Sequence, residues 1–169
     1  PFQVRHANRL GVEPRQATGV LLRGLLMRPD GEGPFPALVL LHGCDGMQPF
    51  QQEWGDQLVG WGYVVLLVDS YGPRRHASDC ATWSYTHDPD RDFDAHGALT
   101  FLRGLAFVDA TRIGVIGWDT GGLAVLQVMD AKGVQQFFAQ RFVAGVAFYP
   151  TPLDSDLRAA GPEIGRAHI

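Results

Sequence analysis

One loop in this chain has the residue types and spacing of a reactive site. Gly117-Trp118-Asp119-Thr120-Gly121-Gly122 follows the apolar run Arg112 to Ile116 (RIGVI) and precedes a helical pattern. It fits G-x-nucleophile-x-G, the nucleophile elbow, in which a tight strand-to-helix turn exposes the central side chain beside a helix N-terminus. Glycine is needed on both sides because the turn leaves no space for a Cβ. In that geometry Asp119 takes the nucleophile position, and the backbone N–H of Thr120 supplies one donor of an oxyanion hole. An ordinary Gly-rich turn would leave the same trace, and the flanking strand and helix favour the elbow.

Two further loops end apolar runs. His42-Gly43-Cys44-Asp45-Gly46 follows Ala37 to Leu41, and the N–H of Cys44 is placed to be the second oxyanion donor. His42 at such a strand end supports the loop through hydrogen bonds and contributes to the substrate-binding surroundings rather than acting as a base. The Cys44 thiol shows no feature that would lower its pKa and is not read as a nucleophile. Asp69-Ser70-Tyr71-Gly72-Pro73-Arg74-Arg75 follows Tyr63 to Val68. Arg74 and Arg75 could hold a substrate carboxylate in a two-pronged grip, or lie on a solvated loop. Asp69, in the last turn of its strand, reads as structural. Trp118, next to the elbow residue, is counted with the substrate-binding candidates.

These loops need a scaffold that gathers strand ends. Gly19 to Met27, Ala37 to Leu41, Tyr63 to Val68, Arg112 to Ile116 and Phe142 to Phe148 read as strands. The unbroken apolar runs among them suit parallel strands buried on both faces. Between them lie helical patterns over Gln51 to Trp61, with Trp54, Leu58 and Trp61 on one face, over Arg91 to Leu105, opened by Asp88-Pro89-Asp90, and over Gly121 to Met129. Strand–helix alternation gives βαβ units, a mostly parallel sheet, and ligands beyond the C-terminal strand ends.

The 169 residues suffice for one domain with a core. With 46% hydrophobic and 19% charged residues, the composition is that of a folded globular chain. The net charge of −4 gives no general attraction to nucleic acid or anionic membrane. No apolar run reaches the length of a membrane-crossing helix. No leader is visible, although a chain that begins at Pro1 is uninformative on that point. The compartment, cytoplasmic or exported, is therefore left open. Cys44 and Cys80 fit no zinc motif, and no metal site is expected. They are two thiols in a reducing compartment or a disulfide in an oxidising one.

Taken together, ALVLLHGCDG, WGDQLVGWGYVVLLVDSYGPR and DFDAHGALTFLRGLAFVDATRIGVIGWDTGG resemble the dienelactone hydrolase family over roughly residues 20 to 150. The resemblance implies a three-layer α/β-hydrolase domain with no cofactor, hydrolysing an ester or lactone of a small, acidic substrate through an acyl-enzyme. It places Arg74 or Arg75 where the family binds substrate carboxylates. Two departures stand out. The family uses Cys or Ser at the elbow, activated by His with an acid behind it, and this chain has Asp119. G-x-D-x-G-G is similar to haloalkane dehalogenases and epoxide hydrolases, whose carboxylate displaces a leaving group from a saturated carbon. The chain also reads as stopping before the strands that would carry the acid and the His. Asp154 and Asp156 read as solvated, His168 as terminal, and His96 as packed or solvent-facing. Among the remaining histidines, His76 precedes the elbow, and His87 is placed to approach the pocket from a loop. An exposed strand edge would follow, which continuing chain or a homodimer would cover. Besides a hydrolase of this family, the substitutions suit a ligand-binding protein on a hydrolase scaffold or an Asp-nucleophile dehalogenase or epoxide hydrolase.

Overall fold

The computed structural model describes residues 2–5, 19–75, 80, 91–130 and 138–150. Six strands form one sheet in the order β1-β2-β4-β3-β5-β6. They are β1 (Phe2–Arg5), β2 (Gly19–Met27), β3 (Phe35–Leu41), β4 (Val64–Asp69), β5 (Val108–Trp118) and β6 (Gly145–Phe148). β1 and β2 run antiparallel to their neighbours. β4, β3, β5 and β6 are mutually parallel. This is the mostly parallel α/β sheet expected from the sequence, with β1 as an added edge strand that the sequence reading did not anticipate. At the opposite margin β6 is the outermost strand among the described residues, and Val146 in it and Val143 just before it are exposed.

The inner parallel strands β3, β4 and β5 are apolar on both faces because helices cover both. α1 (Pro49–Gly60) sends Leu58 against Leu40, Val65, Leu67, Ile116 and Trp118. α2 (Arg91–Arg103) and α3 (Thr120–Met129) cover the other face, where Leu99, Leu102, Val125 and Val128 meet Val39, Leu41, Leu66, Val68 and Val115. The alternation along β3, with Val39 and Leu41 in one cluster and Leu40 in the other, follows from the two-residue period of a strand. α1 carries proline in its first turn, where the missing N–H costs no helical bond. It ends one residue before the Trp61 expected from the sequence, and Gly62 then adopts φ +92°. The expected opening of α2 at Asp88-Pro89-Asp90 lies outside the described residues.

The strand ends are drawn together by a close approach of α3 to β3. A Cβ on Gly121 would overlap the carbonyl oxygens of Leu41 and lie 2.5 Å from that of His42. A Cβ on Gly117 would overlap the carbonyl of Gly121. In both cases the obstacle is backbone, which has no rotamer by which to yield. Gly121→Ala is therefore expected to destabilise the fold by about 1–3 kcal/mol or more through overpacking, measured as a lowered urea midpoint. Gly60→Ala, where a Cβ would meet nothing within 4 Å, should be close to neutral by the same measurement.

Candidate active site

Asp119 sits between β5 and α3 with φ 52° and ψ −117°. This is a sparsely populated conformation for a residue with a Cβ and costs on the order of 1–3 kcal/mol unless the surroundings hold it. They do so from both sides. The Asp119 N–H donates to the carbonyl of Phe148 at 2.9 Å, tying the turn to β6. Its own carbonyl accepts the first helical bond from the Leu123 N–H at 3.0 Å. The turn is thus an elbow in geometry as well as in sequence.

The loop after β3 arrives beside it. Gly46 N–H donates to Gly43 O at 3.2 Å, closing a turn over 43–46. The Cys44 N–H then donates to Oδ2 of Asp119 at 3.0 Å. The backbone donor assigned to an oxyanion hole therefore already holds an anion, the carboxylate of the elbow residue. Thr120, the other donor position, is the first residue of α3, where N–H groups lack helical partners and the helix dipole favours negative charge. Cys44 is also anchored through its side chain, by a disulfide to Cys80 with a Cα–Cα distance of 5.0 Å. The sequence had left that pairing open.

His42 lies beneath this loop, fully buried. Its Nε2 accepts from the Ser70 N–H at 3.2 Å, so Nδ1 carries the proton and donates to Gly43 O at 2.7 Å. Burial, reinforced by the Arg91 cation, lowers its pKa to about 3, with the Gly43 bond opposing in part. It is a buried, neutral support for the strand end. Asp69 serves the neighbouring turn, accepting from the N–H groups of Tyr71 at 3.2 Å and Gly72 at 2.8 Å.

Three candidates occupy places that differ from the expectation of substrate contact. Arg74 gives both terminal nitrogens to the carboxylate of Asp94, each at 2.7 Å, and Nη1 also donates to Ser70 O at 2.7 Å. Asp94 is fully buried, so the guanidinium is required there to balance its charge and acts as a strut. Trp118 is 8% exposed and packs under α1, against Phe50, Trp54 and Phe148. Its side chain points to the opposite side of β5 from its neighbours because side chains alternate along a strand. With His42 these make a supporting layer. Arg75 is exposed at φ 54° and keeps the geometry of a surface cation. His96 is buried and stacked on Phe138 at 4.2 Å, with a pKa lowered to about 4 by burial and by Arg141. His76, His87, His168, Asp154 and Asp156 lie outside the described residues.

A residue that the sequence reading missed ties the layer together. Arg91, 3% exposed, donates from Nη1 to Oγ1 of Thr120 at 2.7 Å and from Nη2 to the carbonyl of His42. Its guanidinium lies over the Tyr71 ring at 5.4 Å. The signal was its position, a cation in the first turn of a helix, where the dipole disfavours positive charge.

Among the described residues no group of His, Cys, Asp or Glu could hold a metal ion, and no helix is long and apolar enough to cross a membrane.

Comparison with known proteins gives consistent matches. A family model described as the dienelactone hydrolase family covers residues 22–164. A thiohydrolase of Aspergillus aculeatus is 31% identical over 117 residues, 68% of this chain and 35% of that protein. A Bradyrhizobium lactonase named for 2-oxo-3-(5-oxofuran-2-ylidene)propanoate is 27% identical over 107 residues, 60% of this chain and 43% of that protein. The chain thus spans under half the length of these curated relatives. Among solved structures, a protein from Klebsiella pneumoniae assigned as a dienelactone hydrolase superposes with a TM-score of 0.61 at 18% identity, over 85% of this chain and 59% of that one. A dienelactone hydrolase-like promiscuous phosphotriesterase from metagenomic libraries gives 0.53 at 24%, over 72% and 50%.

Two outcomes follow from the site. His42 and His96 have folded values of about 3 and about 4, below the ordinary 6.5. The unfolded chain therefore binds their protons first, so their contribution is complete above about pH 6.5 and is lost as pH falls toward 4 and then 3. Urea midpoints should drop between about pH 6.5 and 5.5, above most of the range where carboxylates titrate, and the drop should be shallower in His42→Gln. The Cys44–Cys80 bond closes a loop of separation 36. Replacing both cysteines by serine should cost about 2–4 kcal/mol in calorimetry by loop-closure entropy.

Proposed function

The chain belongs to the dienelactone hydrolase family, and from that premise we propose that it is the core of a hydrolase acting on a small ester- or lactone-like substrate, with Asp119 as the residue that meets it. Family membership supports hydrolysis, and the lactonase and thiohydrolase names of the two curated relatives support an acyl-oxygen or acyl-sulfur substrate. The observation that carries the assignment of Asp119 is its strained elbow conformation with Oδ2 held at 3.0 Å by the Cys44 N–H.

That same hydrogen bond favours a second reading of the bond being broken. A carbonyl substrate must place its oxygen on the Cys44 N–H, and the carboxylate already occupies it. Forfeiting one oxyanion donor costs about 10²–10³ in rate. Attack by a carboxylate on the carbonyl also gives an anhydride. Displacement at a saturated carbon needs no exchange of donors, because one carboxylate oxygen stays held while the carboxylate acts as nucleophile. The new bond joins the carboxylate to carbon, the carbon–oxygen bond of an epoxide or the carbon–halogen bond of an alkyl halide breaks, and the electron pair leaves on oxygen or halide. Water then cleaves the alkyl ester and restores the Asp119 carboxylate; the proton set free goes to the epoxide-derived alkoxide, giving a diol, or to solvent beside the halide, giving an alcohol.

The test is intact and peptide mass spectrometry of the natural protein with p-nitrophenyl acetate, a γ-lactone and styrene oxide, beside Asp119→Asn and Asp119→Cys. Turnover by the natural sequence that Asp119→Asn abolishes is expected, and an alkyl adduct on the Asp119 peptide selects the second reading. The Asp119→Cys variant removes the carboxylate from the Cys44 N–H and places a thiol at a helix N-terminus, so it should release one equivalent of p-nitrophenolate in a burst. Turnover unaffected by Asp119→Asn would overturn the role of Asp119.

A further inference from the structure

Arg91 is buried at the wrong end of a helix for a cation. It lies in the first turn of α2, where the dipole opposes positive charge, and it is 3% exposed, where desolvation does so again. A local rule broken this way in a packed interior marks a residue whose value lies in its contacts. The acidic Asp92 and Asp94 in the same turn offset part of the cost. The contacts themselves span the site. Nη1 reaches Oγ1 of Thr120 at 2.7 Å, on the residue directly after Asp119. Nη2 reaches the carbonyl of His42, two residues before Cys44. One planar group thus grips the strand end that carries one oxyanion donor and the helix start that carries the other.

We infer that Arg91 is a positioning residue, which fixes the separation of the Cys44 and Thr120 N–H groups by bridging the His42 carbonyl to the Thr120 hydroxyl. The guanidinium suits this task because its donors form a rigid fork, whereas an ammonium is a point charge on a flexible stem. Packing over Tyr71 holds the fork in plane. The two elements it joins already pack closely at Gly121, where a Cβ would overlap the carbonyls of Leu41 and His42. Contact at Gly121 sets how closely they approach. The Arg91 bridge sets their rotation about that contact, and rotation is what moves the two N–H groups relative to each other. Thr120 takes part through its hydroxyl as well as its N–H, which gives this position a requirement for Thr or Ser. The inference rests on the reading of Cys44 and Thr120 as the donors at the elbow, and it applies to whichever bond the site breaks.

The experiment reads the donors without turnover, so it stands or falls separately from the hydrolase assignment. Backbone amide shifts and hydrogen exchange of Cys44 and Thr120 are measured by NMR in the natural protein, Arg91→Gln, Arg91→Lys, Thr120→Val and Thr120→Ser. Leu99→Ala is the control, a core cavity in the same helix with no part in the bridge. Arg91→Gln and Thr120→Val should each move the Cys44 amide proton upfield and raise its exchange about tenfold as the local structure loosens. Thr120→Ser should behave as the natural protein. Arg91→Lys, which keeps the charge and loses the fork, should resemble Arg91→Gln. The two losses should not add in the double variant Arg91→Gln with Thr120→Val, because both break one bridge. If Arg91→Gln does not fold, Thr120→Val against Thr120→Ser decides alone. Unchanged Cys44 and Thr120 amides in Thr120→Val would overturn the inference, as would full rescue by Arg91→Lys or an equal disturbance from Leu99→Ala.

Discussion

The site depends on one close approach, the backbone of Gly121 resting against the last carbonyls of β3. No side chain fits between them. Because α3 starts there, the turn before it must rise sharply out of β5, and that rise is what forces Asp119 to φ 52°. The same approach brings the loop after β3 within hydrogen-bonding distance of the elbow side chain. A looser packing at Gly121 would relax the backbone of Asp119 and at the same time move the Cys44 N–H away. Strain and donor geometry are thus two consequences of one contact, and the packing energy of the two apolar clusters sustains both.

A polar layer lies directly under that contact, and its electrostatics are organised by what can be charged. Arg91 and Arg74 are permanent cations, and Asp94 supplies the buried countercharge to Arg74 in a two-pronged pair. His42 shares the layer and stays neutral, since burial and the nearby Arg91 both penalise its protonated form. Neutrality has a structural consequence. With Nδ1 donating to Gly43 O, only a neutral ring leaves Nε2 able to accept from the Ser70 N–H. One ring thereby joins the ends of β3 and β4. Protonation would turn an accepted hydrogen bond into a donor–donor clash, so the support for the loop after β3 is linked to the titration of His42.

The sequence made the strands legible because their apolar runs are uninterrupted, a pattern that only a sheet covered on both faces requires. The elbow was legible because glycine is the one residue that fits at Gly117 and Gly121, and both glycines are in place. Asp69 could be read as structural from its place in the turn. What stayed hidden shares a cause: it depends on which distant side chain arrives. Arg74 looked like a substrate clamp because nothing local announces Asp94, twenty positions on along another element. Trp118 looked like a pocket wall until the pleat turned it under α1. Cys44 and Cys80 carry no spacing rule, and only the fold brings them together. Arg91 alone left a trace, a cation against a helix dipole.

The replacement of a hydroxyl or thiol by a carboxylate at the elbow alters more than nucleophilicity. A serine or cysteine has one reactive atom, which must lie outside the donor pocket so that the substrate oxygen can enter it. A carboxylate has two equivalent oxygens and can place one in the pocket while acting from the group as a whole. The bond from the Cys44 N–H to Oδ2 is that arrangement. In it the Cys44 N–H holds the elbow carboxylate rather than standing open for the charge that would develop on an attacked carbonyl. Such donors favour the carboxylate before reaction, and weaken on it as an ester forms, because an ester oxygen is a poorer acceptor than an anion. They would regain strength when the ester is cleaved and the carboxylate returns. Under the displacement reading proposed above, a scaffold able to stabilise an oxyanion on the substrate would serve, with one residue changed, to stabilise the carboxylate restored in the last step. That is the sense in which the hydrolase fold and Asp119 are compatible, without the donor geometry having to move.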